Sequence, residues 1–258
     1  MKIEENDKLI LITNDDGLYA GGLRTLISIM EDFGKLVVIS TTDSRSAMSQ
    51  ALTVKQPIRV KLLEEDDHKR IFACSGTPAD GIKLAVNQLL ERKPDLIVSG
   101  INHGSNASAS ILYSGTMAAA LEGCLYNITS VGFSLNSYSS SADFSGCDKY
   151  IRKICSMLLS EPLPPGICLN VNFPALPASE IRGMVVARQA SGNWQEEFEK
   201  RKDPAGKTYY WLTGSFINHE PEALDTDDWA IQNGYVSVMP VTTDMTAYSY
   251  METLKSRL

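Results

Sequence analysis

The chain has 258 residues, with 24 Lys and Arg against 31 Asp and Glu and a net charge of -7. That length can bury most of the apolar surface of one large α/β domain. The acidic balance excludes a nucleic-acid scaffold, whose phosphates are gripped by clustered Lys and Arg.

Leu9-Ile10-Leu11-Ile12 is an unbroken aliphatic run, the pattern of a buried parallel strand, and it ends in Thr13-Asn14-Asp15-Asp16-Gly17. Open α/β sheets take their ligands just beyond the carboxyl ends of strands, so two adjacent acids there point to a cation. At about 4 Å and an effective dielectric constant of about 20, two carboxylates repel by about 4 kcal/mol. A divalent ion removes that conflict. Neighbouring extended side chains face opposite ways, so the backbone must bend for both to meet one ion, and Gly17 permits the bend. An Asx turn capping the next helix is the plainer alternative.

Leu23, Leu26, Ile27 and Met30 then repeat with helical spacing, and residues 35–40 form a second aliphatic run, giving a βαβ beginning. The following loop, 41–47, offers Asp43 and Ser46 as oxygen ligands or as helix caps. A short strand is expected at 71–73, a helix over 79–90, and a buried strand over 95–99 that stops at Gly100. After it, paired glycines in Gly100-Ile101-Asn102-His103-Gly104-Ser105-Asn106 allow close backbone approach to an anion, while Asn102 can present a carbonyl oxygen to a hard cation. Tyr113-Ser114-Gly115-Thr116 opens a helix to about residue 125, and its free amides can hold phosphate. Strands are expected at 130–134 and 167–172, separated by an amphipathic helix over 148–159.

This alternation implies an α/β fold, a Rossmann-like, mostly parallel sheet flanked by helices. Beyond Pro174 the pattern changes. Residues 184–187, 208–212 and 235–238 read as strands with turn-rich intervals and little helix. The expected organisation is a Rossmann-like α/β core over 1–174 and a β-rich, antiparallel C-terminal extension over 175–258, an oligomerisation arm of the same domain.

Taken in order, these segments closely resemble the SurE family, the survival protein E nucleotidases. The resemblance is carried by Asn14-Asp15-Asp16-Gly17, Arg45-Ser46-Ala47, Ser99-Gly100-Ile101-Asn102 with Gly104 and Asn106, and Tyr113-Ser114-Gly115-Thr116 with residues 118–123. Gly76-Thr77-Pro78-Ala79-Asp80, Asn170-Val171-Asn172-Phe173-Pro174 and Asp244-Met245-Thr246-Ala247 support it. It implies a phosphomonoesterase acting on nucleoside monophosphates, with Asp15, Asp16, Ser46 and Asn102 holding one divalent ion per subunit. Asp15 and Asp16 are also the expected catalytic groups. Asn14, Asn106, Ser114, Gly115 and Thr116 are the expected phosphate contacts. An all-oxygen ligand set is hard and suits Mg or Mn. The resemblance further implies a homodimer or homotetramer assembled through C-terminal elements. Residues 190–228 match weakly, and no substrate contact is assigned to Trp194, Tyr209 or Trp211.

Five cysteines without a CxxC pair read as reduced core thiols and point to the cytoplasm. Residues 1–8 carry no signal-peptide core, and no run approaches a membrane span. No serine lies in a GxSxG elbow, against a Ser-His-Asp hydrolase, and adjacent acids lack the spacing of an aspartyl-phosphate enzyme. A non-catalytic nucleotide sensor is the alternative from a different class.

Overall fold

The computed structural model describes residues 1–195 and 197–258. In chain order, β1 (Leu9–Thr13), α1 (Gly21–Met30), β2 (Lys35–Thr41), β3 (Val60–Glu65), β4 (Lys69–Cys74) and α2 (Pro78–Leu84) make the first half. β5 (Leu96–His103), α3 (Gly115–Leu125), β6 (Ser130–Leu135), α4 (Asp148–Ser160) and β7 (Ile167–Phe173) make the second. β8 (Gly183–Val186), β9 (Gly192–Gln195), β10 (Phe198–Lys202), β11 (Thr208–Leu212), β12 (Ser215–Asn218), α5 (Asp227–Gln232), β13 (Tyr235–Thr242) and α6 (Tyr248–Lys255) follow.

The main sheet has nine strands in the order β3-β4-β2-β1-β5-β6-β7-β13-β8. Strands β4, β2, β1, β5, β6 and β7 run parallel to one another. From β1 the chain moves outward through β2 to β4, and from β5 it moves the opposite way through β6 to β7. The order therefore reverses between β1 and β5, where doubly wound sheets open a crevice.

Alternation along β1 explains why its run is apolar throughout. Ile10 and Ile12 pack with Leu23, Leu26, Ile151 and Ile154 of α1 and α4, whereas Leu9 and Leu11 pack with Ile82 of α2 and Ala119 of α3. Both faces of the strand are covered, so neither can be polar.

Three elements differ from the sequence expectation. The helix expected over 79–90 ends its α-helical part at Leu84 and continues as one π-helical turn, Ala85–Leu89. The strand expected to stop at Gly100 resumes through His103, because a register shift between Ser99 and Asn102 accommodates the glycine and restores pairing with β6. The C-terminal region is not purely antiparallel or nearly helix-free. β13 lies antiparallel to β7 but parallel to β8, and α5 and α6 are present.

The start of α2 is fixed by a capping box in which Thr77 accepts from Asp80 N–H and Asp80 accepts from Thr77 N–H. Asp80 also accepts from Thr53 N–H at 3.1 Å. Burial pushes its carboxyl up, but the Thr53 and Thr77 donors outweigh burial and hold its pKa below the ordinary 3.8. Asp80→Ala is expected to cost roughly 2 kcal/mol at pH 7 through the lost cap and the stranded Thr53 N–H. A carboxyl with a lowered folded pKa stabilises above its unfolded pKa and loses that contribution as pH falls through the folded value. The gap between wild type and variant in urea melts is therefore expected to narrow below pH 4; a gap independent of pH would contradict this role.

All five cysteines are free and buried. Among the described residues, no helix is long and apolar enough to cross a membrane.

Candidate active site

The bend after β1 falls at the switch point. Gly17 has a φ of +95°, the left-handed region open to glycine. Asn14 lies beneath this turn, its Nδ2 donating to Gly17 O at 2.9 Å and its Oδ1 accepting from the Ser40 hydroxyl at 2.7 Å. Its amide thus holds the turn rather than facing the cavity, where the sequence had placed a phosphate contact.

Asp15 is 3 % exposed and lies against the N-terminus of α3. Its Oδ1 accepts from the Thr116 hydroxyl at 2.6 Å, and its main-chain carbonyl accepts from Arg45 N–H at 2.7 Å. Burial pushes the carboxyl up to about 6; the Thr116 hydroxyl pulls it down, and the neighbouring Asp16 charge pushes it up. The helix N-terminus, with its partial positive charge, faces this carboxylate. Gly115 makes that approach sterically open, since a Cβ there would fall 2.8 Å from Asp15 Oδ2. Thr116 and Gly115, expected as phosphate donors, are buried against Asp15, and the Thr116 hydroxyl is committed to it.

Asp16 is half-buried, and its Oδ2 accepts from His103 N–H at 2.9 Å. Burial raises its pKa and that N–H lowers it. The continued β5 strand supplies this contact, which a loop ending at Gly100 would not have placed. Among the described residues no Lys or Arg acts on either acid; only the His103 charge lowers Asp16, behind its N–H.

Asp15, Ser46, Asn102, Asn106 and Ser114 line one cavity of about 660 Å³. Asn102 Nδ2 donates to Gly104 O at 2.8 Å, which leaves its carbonyl oxygen as the uncommitted group. Ser46 is exposed, its Oγ 3.1 Å from Ser44 Oγ. Asn106 is fastened from three sides: its N–H donates to Asn172 Oδ1, its Nδ2 to Ser134 Oγ, and its carbonyl accepts from Asn170. One Nδ2 hydrogen stays free. Ser114 accepts from Met117 N–H as the cap of α3, which leaves its own hydroxyl proton to donate. His103 lines the same cavity, its ring packed edge-on against Phe144 at 5.0 Å.

Among the described residues no three His, Cys, Asp or Glu side chains converge. The oxygens gathered here are two carboxylates, a hydroxyl and an amide carbonyl, a set that fits a hard divalent ion rather than zinc. Two neighbouring acids, both raised by burial, are the chemistry such an ion relieves.

Thr116 is fully buried and close in shape to Val, so Thr116→Val should fold normally yet release Asp15 Oδ1. Removing such an outer-shell donor typically costs about 10- to 100-fold in activity or metal affinity. Thr116→Ser should retain most of both; equal activity in Val and Ser variants would show that the hydroxyl does not position Asp15.

The sequence assigned no contact to the aromatic side of the cavity, where Tyr138 and Trp194 stand with Tyr113, which it read only as part of the α3 entry. Tyr138 lies in a serine-rich loop and Trp194 in a weakly matching stretch, so neither sat at a recognisable strand end. Tyr209 and Trp211 lie on the exposed β11 and do not line this cavity.

The doubly wound sheet and the acidic, oxygen-lined cleft at its switch point define an α/β protein whose cleft opens between β1 and β5, where doubly wound sheets take their ligands. The family described as Survival protein SurE matches residues 10–196, and the chain belongs to this family. It is 48 % identical to 5'-nucleotidase SurE of Flavobacterium psychrophilum, covering 96 % of each chain. It is also 48 % identical to 5'-nucleotidase SurE of Bacteroides fragilis, covering 98 % of this chain and 99 % of the relative. The crystal structure of the SurE protein from Aquifex aeolicus superposes with a TM-score of 0.83 at 35 % identity, covering 96 % of this chain and 99 % of that one.

Proposed function

We propose that the protein is a metal-dependent phosphomonoesterase that hydrolyses nucleoside monophosphates, at a 5′ or 3′ phosphate, to nucleoside and phosphate. The observation that carries this reading is the meeting of Asp15, Ser46 and Asn102 on one cavity, with Asp16 beside them. Relatives that bear the name 5'-nucleotidase over nearly their whole length support it.

Asp15, Asp16, Ser46 and Asn102 would hold one Mg or Mn ion per subunit. When bound, that ion neutralises phosphate charge and acidifies a coordinated water. Phosphoryl transfer demands chiefly positioning and charge compensation. The free amide hydrogen of Asn106 and the hydroxyl of Ser114 orient the phosphate oxygens, while Asp15 or Asp16, whichever is less committed to the ion, accepts the proton of the attacking water. Asn14, Gly115 and Thr116 act through the placement of Asp15 and its turn. The decisive assay is free phosphate released from a nucleoside monophosphate with Mn, with and without chelator. Chelator-sensitive release is expected; nucleotide binding without release would instead make the protein a sensor.

Five buried free thiols support a cytoplasmic location in this proposal. Residues 175–258 build a homodimer or homotetramer in this proposal. Among the described residues β10 and β11 pair only with each other and are exposed along their whole length, and α6 buries no residue. A two-stranded hairpin is marginal alone in water, and Phe198, Trp211, Leu212 and Met251 stand uncovered on these elements. Light scattering is expected to give a multiple of the 28.3 kDa chain mass; a monomer would remove the arm's assigned role.

A further inference from the structure

The cavity has walls of two origins. One is the sheet rim described above. The other comes from the elbow where the β9/β12 ladder gives way to the β10/β11 ladder: Trp194, Glu197, Leu212, Thr213 and Gly214. The elbow is shaped by Gly214 at a φ of +111° and by Thr213 N–H donating to Glu197 O at 2.7 Å. Trp194 is paired in register with Phe216, and their rings meet edge-to-face at 6.4 Å, which fixes the orientation of the indole.

Two further rings stand on the cavity, Tyr113 at 55 % and Tyr138 at 76 % exposure. Tyr138 lies over Gly104, where a Cβ would come within 2.3 Å of its ring. Large aromatics that are left open to solvent around a polar cleft match a flat, apolar ligand face. A volume of about 660 Å³ is that of a site for a drug-sized molecule, far more than a phosphate group fills. Glu197, when ionised, only accepts hydrogen bonds, so it repels a phosphate dianion and leaves the elbow to the uncharged end of the substrate.

We propose that this elbow is the nucleobase subsite, with Trp194 as its stacking platform, and that it favours purine over pyrimidine nucleotides because the larger ring stacks over more area. The proposal rests on the phosphomonoesterase reading above. Its test compares Trp194→Ala and Trp194→Phe with wild type on a purine nucleoside 5′-monophosphate, a pyrimidine one, and ribose 5-phosphate, which carries the phosphate without a base.

In Trp194→Ala, kcat/KM on the purine nucleotide is expected to fall about tenfold, within the range for loss of one base stack. The loss should lie in KM, the purine preference should shrink, and ribose 5-phosphate should be unaffected. Trp194→Phe should recover most of the loss. Equal losses on nucleotide and ribose 5-phosphate, or no loss on the nucleotide, overturn the assignment. Adenosine, which has no phosphate to release, should quench wild-type tryptophan fluorescence and fail to quench Trp194→Phe. That arm reads the subsite even in a protein that hydrolyses nothing, and quenching unchanged in Trp194→Phe also overturns it.

Discussion

Asp16→Asn is expected to lose at least about a thousandfold of Mn-dependent phosphate release while keeping, or raising, thermal stability. The two effects separate because they arise from different atoms. Asn at this position still offers an oxygen to His103 N–H, so the contact that ties the turn to β5 survives. The charge does not. A divalent ion and one carboxylate attract by roughly 8 kcal/mol at about 4 Å and an effective dielectric constant of about 20. If dehydration takes half, about 4 kcal/mol is left, the equivalent of a thousandfold in rate or affinity. Meanwhile the metal-free protein is relieved of a half-buried charge beside another acid, which burial disfavours. Phosphate release, calorimetric Mn titration and a thermal melt on one preparation check all three. Full activity in the variant, or a collapse of the melt, would remove Asp16 from the ligand set.

What the sequence made legible follows the rule that buried periodicity is visible and imposed structure is not. β1, β2, β6 and β7 could be read because both of their faces are covered, so the residues along them are apolar or small apart from Lys35 at the start of β2 and Asn170 and Asn172 in β7. β3 could not, since its Val60-Lys-Leu-Leu-Glu-Glu run is largely exposed and exists because the open edge of β4 pairs with it. The elbow strands β9, β10 and β12 share that fate. At the site, Asp15, Asp16, Asn102 and Ser114 stood out because they end a strand or open a helix. The role of Thr116 did not, because its residue type suits a helix start equally well whether its hydroxyl faces a phosphate or the carboxylate of Asp15. Only the packing distance between α3 and the β1 turn decides which.

That same distance makes Gly115→Ala the sharpest test of how the acid pair is held. Alanine is the better helix former by up to about 1 kcal/mol and restricts the unfolded chain, which offsets part of any cost of fitting its methyl. Yet the new methyl would stand 2.8 Å from Asp15 Oδ2 and 2.9 Å from Asp15 Cβ, contacts that real Cβ atoms essentially never make. Asp15 cannot swing away freely, because its Oδ1 is held by Thr116 and its carbonyl by Arg45. The turn itself must shift by several tenths of an ångström. Misplacement of a reacting group by about 1 Å can cost on the order of 100-fold, so a loss of roughly 10- to 100-fold in phosphate release is expected, with weaker Mn binding and a modestly lowered melting temperature, because overpacking costs about 1–3 kcal/mol and the helix preference of alanine returns at most about 1. Wild-type turnover and Mn affinity in Gly115→Ala would show that the site tolerates a displaced Asp15, and that the close seat of this carboxylate on the α3 N-terminus serves the fold rather than the chemistry.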